Sequence, residues 1–266
     1  MLPTPSTSHV AFERIYEPAE DSYLLLDTLS CEAEKVFLHD RFHDTPPGST
    51  KDESLSPLPS PSPLVVEVGT GSGVVVSFVN AHAEAIIGRT DVTTMGVDVN
   101  RFACKATEQT IDVAQKDQAM QGLSHGFFLG SVLGDLTLAL RANQVDILIF
   151  NPPYVPTPEL PEIPRELGCQ TTSHDDDSHL LSLSYAGGLD GMETTHRLLN
   201  SLDNVLSRPR GCAYILLCAQ NQPELVKKGI RNWGKGWAVE TVGSSGKKAG
   251  WEKLQIVRVW RIALNV

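Results

Sequence analysis

Short apolar runs alternate with longer amphipathic stretches along the chain. The runs rich in β-branched and aromatic residues predict strands, which are residues 64–68, 94–100, 127–132, 145–150, 211–219, 238–242 and 253–262. Apolar residues spaced three and four apart predict helices between them, which include residues 75–85, 101–120 and 224–233. This alternation is typical of one mostly parallel sheet with helices on both faces. We therefore predict an α/β fold around a seven-stranded sheet.

An amphipathic helix is predicted near the N-terminus, after the polar lead-in Tyr16-Glu17-Pro18-Ala19-Glu20-Asp21-Ser22. Pro18 suits the first helical turn, and the acids Glu20 and Asp21 complement the positive end of the helix dipole. A well-capped helix explains the leucines that follow but not this dense polar lead-in. The other interpretation is a helix N-terminus that holds a ligand carboxylate, helped by the hydroxyl of Ser22. Both interpretations stay open.

Two segments depart from the alternation of strands and helices. Residues 39–63 carry six prolines and many serines, which predicts a solvated, disordered insert between a lead-in of residues 1–38 and a larger domain of residues 64–266. Residues 155–186 predict a long loop of the kind that forms functional lids. The acids and histidines at residues 174–179 are expected to be solvated there, and we predict no metal site. Beyond this loop, Asp190 is predicted to cap a helix, with Glu193 completing a capping box.

A glycine-rich turn follows the first predicted strand. Gly69, Gly71 and Gly73 allow the backbone to turn sharply and to approach a ligand closely. The spacing differs from the G-x-G-x-x-G of dinucleotide-binding proteins, which disfavours a nicotinamide oxidoreductase. Glu67 places a carboxylate beside the turn, where it can pair with a ligand ammonium group. Asp98 ends the second strand, where α/β folds place an acid against ribose hydroxyls.

Asn151, Pro152, Pro153 and Tyr154 directly follow the fourth predicted strand. The two prolines end the strand, so Asn151 is expected at the carboxyl edge of the sheet, where ligands bind. The side-chain carbonyl of Asn151 and the backbone carbonyl of Pro152 are two acceptors that can hold both hydrogens of a planar –NH2 group. Tyr154 offers a flat face for that group. We hypothesise that this motif binds the amino group that reacts.

Composition narrows the classes of function. The chain has 266 residues, 41% of them hydrophobic and 20% charged, which is typical of a soluble globular protein. A net charge of −10 disfavours a groove that follows a nucleic-acid backbone. Five cysteines without a C-x-x-C pair predict reduced thiols. No secretory leader or membrane span is visible, so we expect a cytoplasmic protein, with the nucleus as a further compartment.

These motifs resemble those of the class I S-adenosylmethionine (SAM)-dependent methyltransferases, which have a Rossmann-like fold. The chain is most similar to the eukaryotic and archaeal HemK-like catalytic subunits, which methylate a glutamine of the class 1 translation termination (peptide release) factor. The match runs from Tyr16 to about Ile262. The Asn-Pro-Pro-Tyr motif is shared with adenine- and cytosine-amino methyltransferases, whereas the lead-in is specific to the glutamine family.

The resemblance implies that SAM is the cofactor and S-adenosylhomocysteine the product. It implies that Ser22, Glu67 and the glycine turn hold the methionine end of SAM, and that Asp98 binds the ribose. It also implies that Asn151 and the Pro152 carbonyl hold the substrate amide.

One departure from the family concerns the adenine. The family has an Asp-Leu pair after the third strand, and here the corresponding pair is predicted to be Ser131-Val132, with Asp135 as the alternative. Because a serine binds the adenine amino group less strongly than a carboxylate does, the Ser131-Val132 pair predicts weaker cofactor binding.

A partner is also implied by the resemblance, namely a small zinc-binding activator protein in an obligate heterodimer. The predicted third strand, from Phe127 to Val132, lies at one edge of a sheet of this type. It is apolar and has no lysine or proline to prevent pairing with another chain. We predict that the activator covers this edge, and the alternative is a loop or helix of the same chain.

Other functions stay open on sequence alone. An amino-methyltransferase acting on adenine N6 in DNA or RNA, or on a protein lysine, is the nearest alternative, because the Asn-Pro-Pro-Tyr motif is shared. The acidic net charge makes nucleic acid the less favoured partner. A SAM-binding scaffold without catalysis is a further alternative, suggested by Ser131.

Overall fold

The computed structural model describes residues 2–42, 60–163, 174–246 and 253–262. The strands are β1 Leu64–Val68, β2 Thr93–Asp98, β3 Phe127–Leu133, β4 Ile147–Phe150, β5 Cys212–Cys218, β6 Trp237–Ser244 and β7 Leu254–Arg261. The helices are α1 Glu20–Ser30, α2 Glu32–Phe42, α3 Val74–Ala81, α4 Ala83–Ile87, α5 Arg101–Met120, α6 His174–Tyr185, α7 Glu193–Val205 and α8 Pro223–Arg231. Within these ranges no helix combines the length and the apolar character needed to cross a membrane.

The strands form a seven-stranded sheet in the order β3-β2-β1-β4-β5-β7-β6. The five strands β3, β2, β1, β4 and β5 are parallel to one another, whereas β7 runs antiparallel between β5 and β6. The bounds of every strand lie within two residues of those predicted from the sequence. The predicted Rossmann-like α/β fold is therefore confirmed, and the carboxyl ends of β1, β2 and β4 meet at one edge of the sheet.

Helices cover both faces of the sheet. One apolar core joins α1 to α4 with β1, β4, β5 and β7, and the other joins α7 and α8 with the opposite face. All of β4 is buried, as its continuous apolar sequence predicted. Each fully buried leucine or isoleucine contributes about 1.5–3 kcal/mol to folding, so the strand that carries the Asn-Pro-Pro-Tyr motif is firmly held.

The N-terminal helical region differs from its prediction in two respects. Cys31 adopts an extended conformation (φ −72°, ψ 153°) and separates α1 from α2. Helix α2 continues to Phe42, whose side chain is fully buried, so the predicted start of the insert at residue 39 is too early. The prolines and serines that suggested the insert begin only after this helix. Residues 43–59 lie outside the described residues.

Both N-terminal helices pack on the C-terminal strands. Thr28 of α1 lies so close to Gly243 of β6 that a Cβ at Gly243 would be 2.1 Å from the Thr28 Oγ1. On α2, the buried Glu34 accepts hydrogen bonds from Arg258 of β7 (2.6 Å) and from the Tyr214 hydroxyl of β5 (2.7 Å). Because a buried charge is costly without a partner, this pair fixes α2 to the sheet.

Two local predictions around the long loop are wrong. Residues 174–185 form α6 rather than a solvated loop, and three aspartates in its first turn complement the helix dipole. Asp190 does not cap α7, because it lies at φ +55° inside a short 3-10 turn, Leu189–Gly191. Instead Glu193 begins α7, and its side chain accepts a hydrogen bond from the Leu189 N–H (2.8 Å). Residues 164–173 are outside the described part of the chain.

A smaller correction concerns the helix after the glycine turn. The predicted helix of residues 75–85 is two helices, α3 and α4, which are separated at His82. The apolar sequence of the first part agrees with its position, since all of α3 is buried, in contact with the sheet and with α5.

Candidate active site

A cavity of about 240 Å³ lies at the carboxyl ends of β1, β2 and β4. The predicted site residues that line it are Ser22, Glu67, Gly69, Gly71, Asp98, Asn151, Pro152 and Tyr154. Tyr16 and Asp21, which had no predicted binding role of their own, line it as well. The fold therefore brings the lead-in, the glycine turn and the Asn-Pro-Pro-Tyr motif to a single cavity.

The glycine turn requires its three glycines for two different reasons. Gly69, Gly71 and Gly73 all have positive φ (+67°, +52° and +76°), which other residues rarely adopt. At Gly71 an added Cβ would meet no atom within 4 Å, so this part of the turn leaves space beside the cavity. At Gly73 a Cβ would lie 2.6 Å from the Thr107 Cα, and Gly73 does not line the cavity. This glycine allows α5 to pack closely against the turn, and its predicted contact with the cofactor stays a prediction.

Glu67 is buried beneath the turn. Its Oε2 accepts a hydrogen bond from the Val76 N–H in the first turn of α3 (2.8 Å). Burial raises the pKa of Glu67 well above its usual value, and the nearby Asp98 raises it further, against the effect of this hydrogen bond. A buried carboxyl group beside a cavity is a suitable partner for a cationic ligand group.

Asp98 connects the turn to the end of β2. Its Oδ2 accepts from the Gly71 N–H (3.0 Å), and its Oδ1 accepts from the Asn100 N–H (2.8 Å). Burial raises the pKa of Asp98, although these backbone hydrogen bonds oppose the rise. Asp98 thus has a structural role in addition to its place in the cavity lining.

The predicted adenine contacts Ser131 and Val132 do not line the cavity. Strand β3 continues to Leu133, so Ser131 lies inside the sheet, in register with Gly96 of β2. The loop at the carboxyl end of β3 begins later, and there Gly134, Asp135 and Leu136 line the cavity. The expectation of weaker cofactor binding, which rested on a serine in place of a carboxylate, therefore loses its basis.

Asp135 is held by an ion pair with Arg197 of α7. Both side chains lie at the cavity, so the loop after β3 and helix α7 are joined there. The Asp-Leu order of residues 135 and 136 was visible in the sequence. These two residues lie in the loop after β3, and Asp135 is the alternative adenine contact that the sequence offered.

Asn151 is held in one orientation by Asp21. The Nδ2 of Asn151 donates to the Asp21 Oδ2 (3.1 Å), and the Tyr16 hydroxyl donates to the same oxygen (3.0 Å). The other oxygen, Oδ1, accepts from the Ser22 N–H (2.6 Å). Asn151 Oδ1 is buried and has no hydrogen-bond partner among the described residues. A buried acceptor without a partner is unfavourable, so this oxygen is suited to receive a donor from a ligand.

The loop after Asn151 is fixed from the side of α7. The Gly187 N–H donates to the Val155 carbonyl (2.8 Å), and the Asn221 side chain donates to the Tyr154 carbonyl (3.2 Å). At Gly191 a Cβ would lie 2.0 Å from the Tyr154 oxygen. Only a glycine allows this approach, which keeps the motif at the cavity wall.

Residues 160–163 and helix α6 also line the cavity. Leu160, Ile163, Leu180 and Leu183 make this part of its lining apolar. The Arg14 side chain, which also lines the cavity, forms an ion pair with Asp177 of α6 (3.3 Å). The lead-in and α6 thus meet at the cavity, in an arrangement that can exclude water from a bound ligand.

Comparison with known proteins gives relatives over nearly the whole chain, although no protein-family model matches it. An eRF1 methyltransferase catalytic subunit, mtq2, of Schizosaccharomyces pombe is 32% identical over 100% of this chain and 99% of the relative. Methyltransferase HEMK2 of Homo sapiens is 29% identical over 96% of this chain and 95% of the relative. A putative protein N5-glutamine methyltransferase of Methanocaldococcus jannaschii is 25% identical over 93% of this chain and 92% of the relative.

Proposed function

The chain belongs to the HemK-like family of release factor glutamine methyltransferases, and from this premise we propose the reaction that its cavity performs. The enzyme transfers the methyl group of SAM to the side-chain amide nitrogen of a glutamine in a class 1 release factor. The names of the relatives, an eRF1 methyltransferase and a protein N5-glutamine methyltransferase, support this substrate. The observation that carries the proposal is Asn151, whose Nδ2 is held by Asp21 while its buried Oδ1 has no partner among the described residues.

The cavity residues fit SAM. The buried Glu67 suits the ammonium group, and Asp98 suits the ribose hydroxyls. Asp135 can accept a hydrogen bond from the adenine amino group, with Leu136 beside the ring. The space beside Gly71 allows the cofactor to approach the backbone. When bound, SAM supplies an electrophilic methyl group on a sulfonium sulfur.

The chemical difficulty is that an amide nitrogen is a weak nucleophile, because its lone pair is delocalised. Asn151 Oδ1 and the Pro152 carbonyl accept the two N–H groups of the substrate amide, which orients the nitrogen towards the methyl group. The same two acceptors stabilise the positive charge that develops on nitrogen as the N–CH3 bond forms. The methylated nitrogen then loses one proton to water, so no general base is needed before the attack.

Methyl transfer to defined substrates tests this function. The enzyme would be incubated with SAM and a release factor, with adenine-containing oligonucleotides and with a lysine peptide. We expect a mass increase of one methyl group on a glutamine, located by peptide fragmentation, and no transfer to adenine. Methylation of adenine or lysine in preference to glutamine would contradict the proposal.

We further propose that the free edge of β3 binds a small zinc-binding activator protein. In the described part of the chain, β3 pairs with β2 alone. Phe127 and Leu129 are each 62% exposed, and Met120 and Leu123 near the end of α5 are also exposed. Burial of each of these side chains by a partner strand would contribute about 1.5–3 kcal/mol. These features support a heterodimer that extends the sheet at this edge.

A further inference from the structure

A second cavity, of about 490 Å³, lies between α7 and α8 at the carboxyl end of β5. This α7–α8 groove is lined by residues that include Leu189, Glu193, His196, Leu225, Gly229 and Trp233. It is separate from the cavity that holds Asn151, but it opens at the same edge of the sheet. None of the chemistry described above uses it.

Large apolar side chains remain accessible along the groove. Leu189 is 70% exposed, Leu225 is 61% exposed and Trp233 is 39% exposed. Between them, Met192 and Ile230 form a buried apolar floor. A cluster of this kind at a concave surface is typical of a site that binds another molecule.

Gly229 supplies independent support for a site that is kept open. It lies inside α8, where glycine destabilises a helix relative to alanine. Its φ is not positive, and an added Cβ would meet no atom within 4 Å, so the fold itself does not require a glycine here. The absence of a side chain leaves the wall of the groove accessible.

The charge of the groove selects one kind of occupant. Its described lining includes the carboxylates of Asp190 and Glu193, and it contains no lysine or arginine. A basic side chain beside an apolar one complements this combination.

The groove and the Asn151 cavity share a wall. Asn221 is buried in the groove lining, and its Nδ2 donates to the Asp190 carbonyl (3.1 Å) and to the Tyr154 carbonyl (3.2 Å). The 3-10 turn Leu189–Gly191 therefore borders the groove on one side and contacts the Asn151 loop on the other. The Asn151 cavity has a volume of only about 240 Å³, so it holds a side chain but not a whole protein. The rest of a protein substrate bound there must lie on the surface around the cavity, which includes the surface beside this turn.

We propose that the α7–α8 groove binds a second segment of the protein substrate, distinct from the glutamine, that presents an apolar side chain next to a lysine or arginine. The inference rests on the proposed function, since it requires a protein substrate at the Asn151 cavity. The groove then selects the folded substrate protein, whereas Asn151 selects the amide.

The test compares an intact release factor with a short peptide that contains the target glutamine. Gly229→Trp fills the groove without removing a contact, and Leu225→Arg replaces an apolar side chain by a charge that repels a basic segment. Val36→Arg is the matched control, because Val36 is also an exposed aliphatic residue on a helix (51%) but lines neither cavity. Steady-state kcat and KM are measured for all variants with the activator-bound enzyme, and melting temperatures confirm the fold.

We expect both groove variants to raise KM for the intact release factor by about tenfold or more, as loss of an interface anchor does. Their kcat and KM on the peptide should stay close to those of Val36→Arg. An unchanged KM for the intact factor would overturn the proposal. An equal rise of KM for the peptide would also overturn it, as would dissociation of the activator from the groove variants. If the wild-type enzyme methylated no glutamine in the peptide or in the factor, the proposed function and this inference would both fail.

Discussion

The Nδ2 of Asn151 donates a 3.1 Å hydrogen bond to the Oδ2 of Asp21, across 130 residues of sequence. Because a carboxylate only accepts hydrogen bonds, it selects the amide orientation that leaves the Asn151 Oδ1 for the substrate. The flipped amide would place two oxygens against each other and would offer an NH2 group to the NH2 group of the substrate. Asp21 therefore determines whether Asn151 acts as an acceptor.

Asp21→Asn should lower kcat by about 10- to 100-fold, with little change in SAM affinity. Both oxygens of Asp21 accept hydrogen bonds, so an amide at this position must turn a donor towards another donor. Activity is measured at saturating SAM, and the side-chain amide resonance of Asn151 is followed by NMR. Tyr16→Phe is the control, since it removes only the other donor to the same oxygen and should cost less. A normal kcat together with an unshifted Asn151 resonance would refute this role.

Asn151→Ala should lower the rate of methyl transfer by about 10²–10³, because it removes one preorganised contact to the reacting amide. The fold and the affinity for SAM should remain close to those of the wild type. Single-turnover kinetics and calorimetry measure the two effects separately. Turnover near the wild-type rate would exclude Asn151 from the reaction.

Asp98→Asn should weaken SAM binding while leaving kcat at saturating SAM within a few-fold of normal, because the ribose is remote from the transferred methyl. Asp98→Asn should lower the melting temperature slightly, because its NH2 group faces the N–H of Gly71 or Asn100, and Asp98→Ala should lower it more. Asp98→Ala removes the acceptor for the Gly71 and Asn100 N–H groups, and a buried unpaired donor costs about 1–3 kcal/mol. Calorimetry and thermal unfolding separate these effects. Equal SAM affinity in Asp98→Asn and the wild type would contradict ribose binding.

The affinity for SAM should fall as the pH falls through the raised pKa of Glu67. Burial raises the pKa of Glu67, so at low pH the free enzyme carries a protonated carboxyl that must lose its proton to pair with the cofactor ammonium. Below that raised pKa, the dissociation constant should increase by up to about tenfold per pH unit. Titration calorimetry over a series of pH values measures this slope. In Glu67→Gln the affinity for SAM should be weak, and the pH dependence caused by Glu67 should be absent. An identical pH dependence in both proteins would exclude Glu67 as the partner of the cofactor ammonium.

Leu129→Glu should abolish the complex with the activator, because Leu129 is 62% exposed at the unpaired edge of β3. Phe128 is a poorer site for this test, since it is only partly exposed and a charge there also disturbs the fold. Val36→Glu, on α2, is the control. Co-purification and activity are measured for each variant, and a stable, fully active Leu129→Glu complex would contradict the proposed interface. A wild-type enzyme that was monodisperse and fully active without the activator would contradict the obligate heterodimer.

The sequence predicted the features that depend on local patterns. The apolar run before Asn151 is a buried strand, and the prolines after it end that strand, so the position of Asn151 at the sheet edge followed directly. The glycine turn and the carboxylates Glu67 and Asp98 were predictable for the same reason. Each lies next to the strand that positions it.

Features that depend on contacts between distant segments were missed. The acidic lead-in was predicted either to cap a helix or to hold a ligand, and no periodicity could reveal that Asp21 contacts Asn151. The polar start of α6 looked solvated, whereas in the structure Asp177 pairs with Arg14. Ser131 lies inside β3, which ends one residue later than predicted, and strand ends are the least certain part of a sequence-based prediction.

Close packing of α1 and α2 on β6 and β7 has a consequence for the time at which the enzyme becomes active during its synthesis. The lead-in with Asp21 leaves the ribosome early, but the strands that support it, through Gly243 and Arg258, are among the last to be made. A growing chain that ends before β7 already contains the glycine turn and Asn151, yet it lacks the surface on which α1 and α2 rest. The catalytic centre is therefore completed only when both ends of the described fold have met, and we expect unfinished chains to lack methyl-transfer activity.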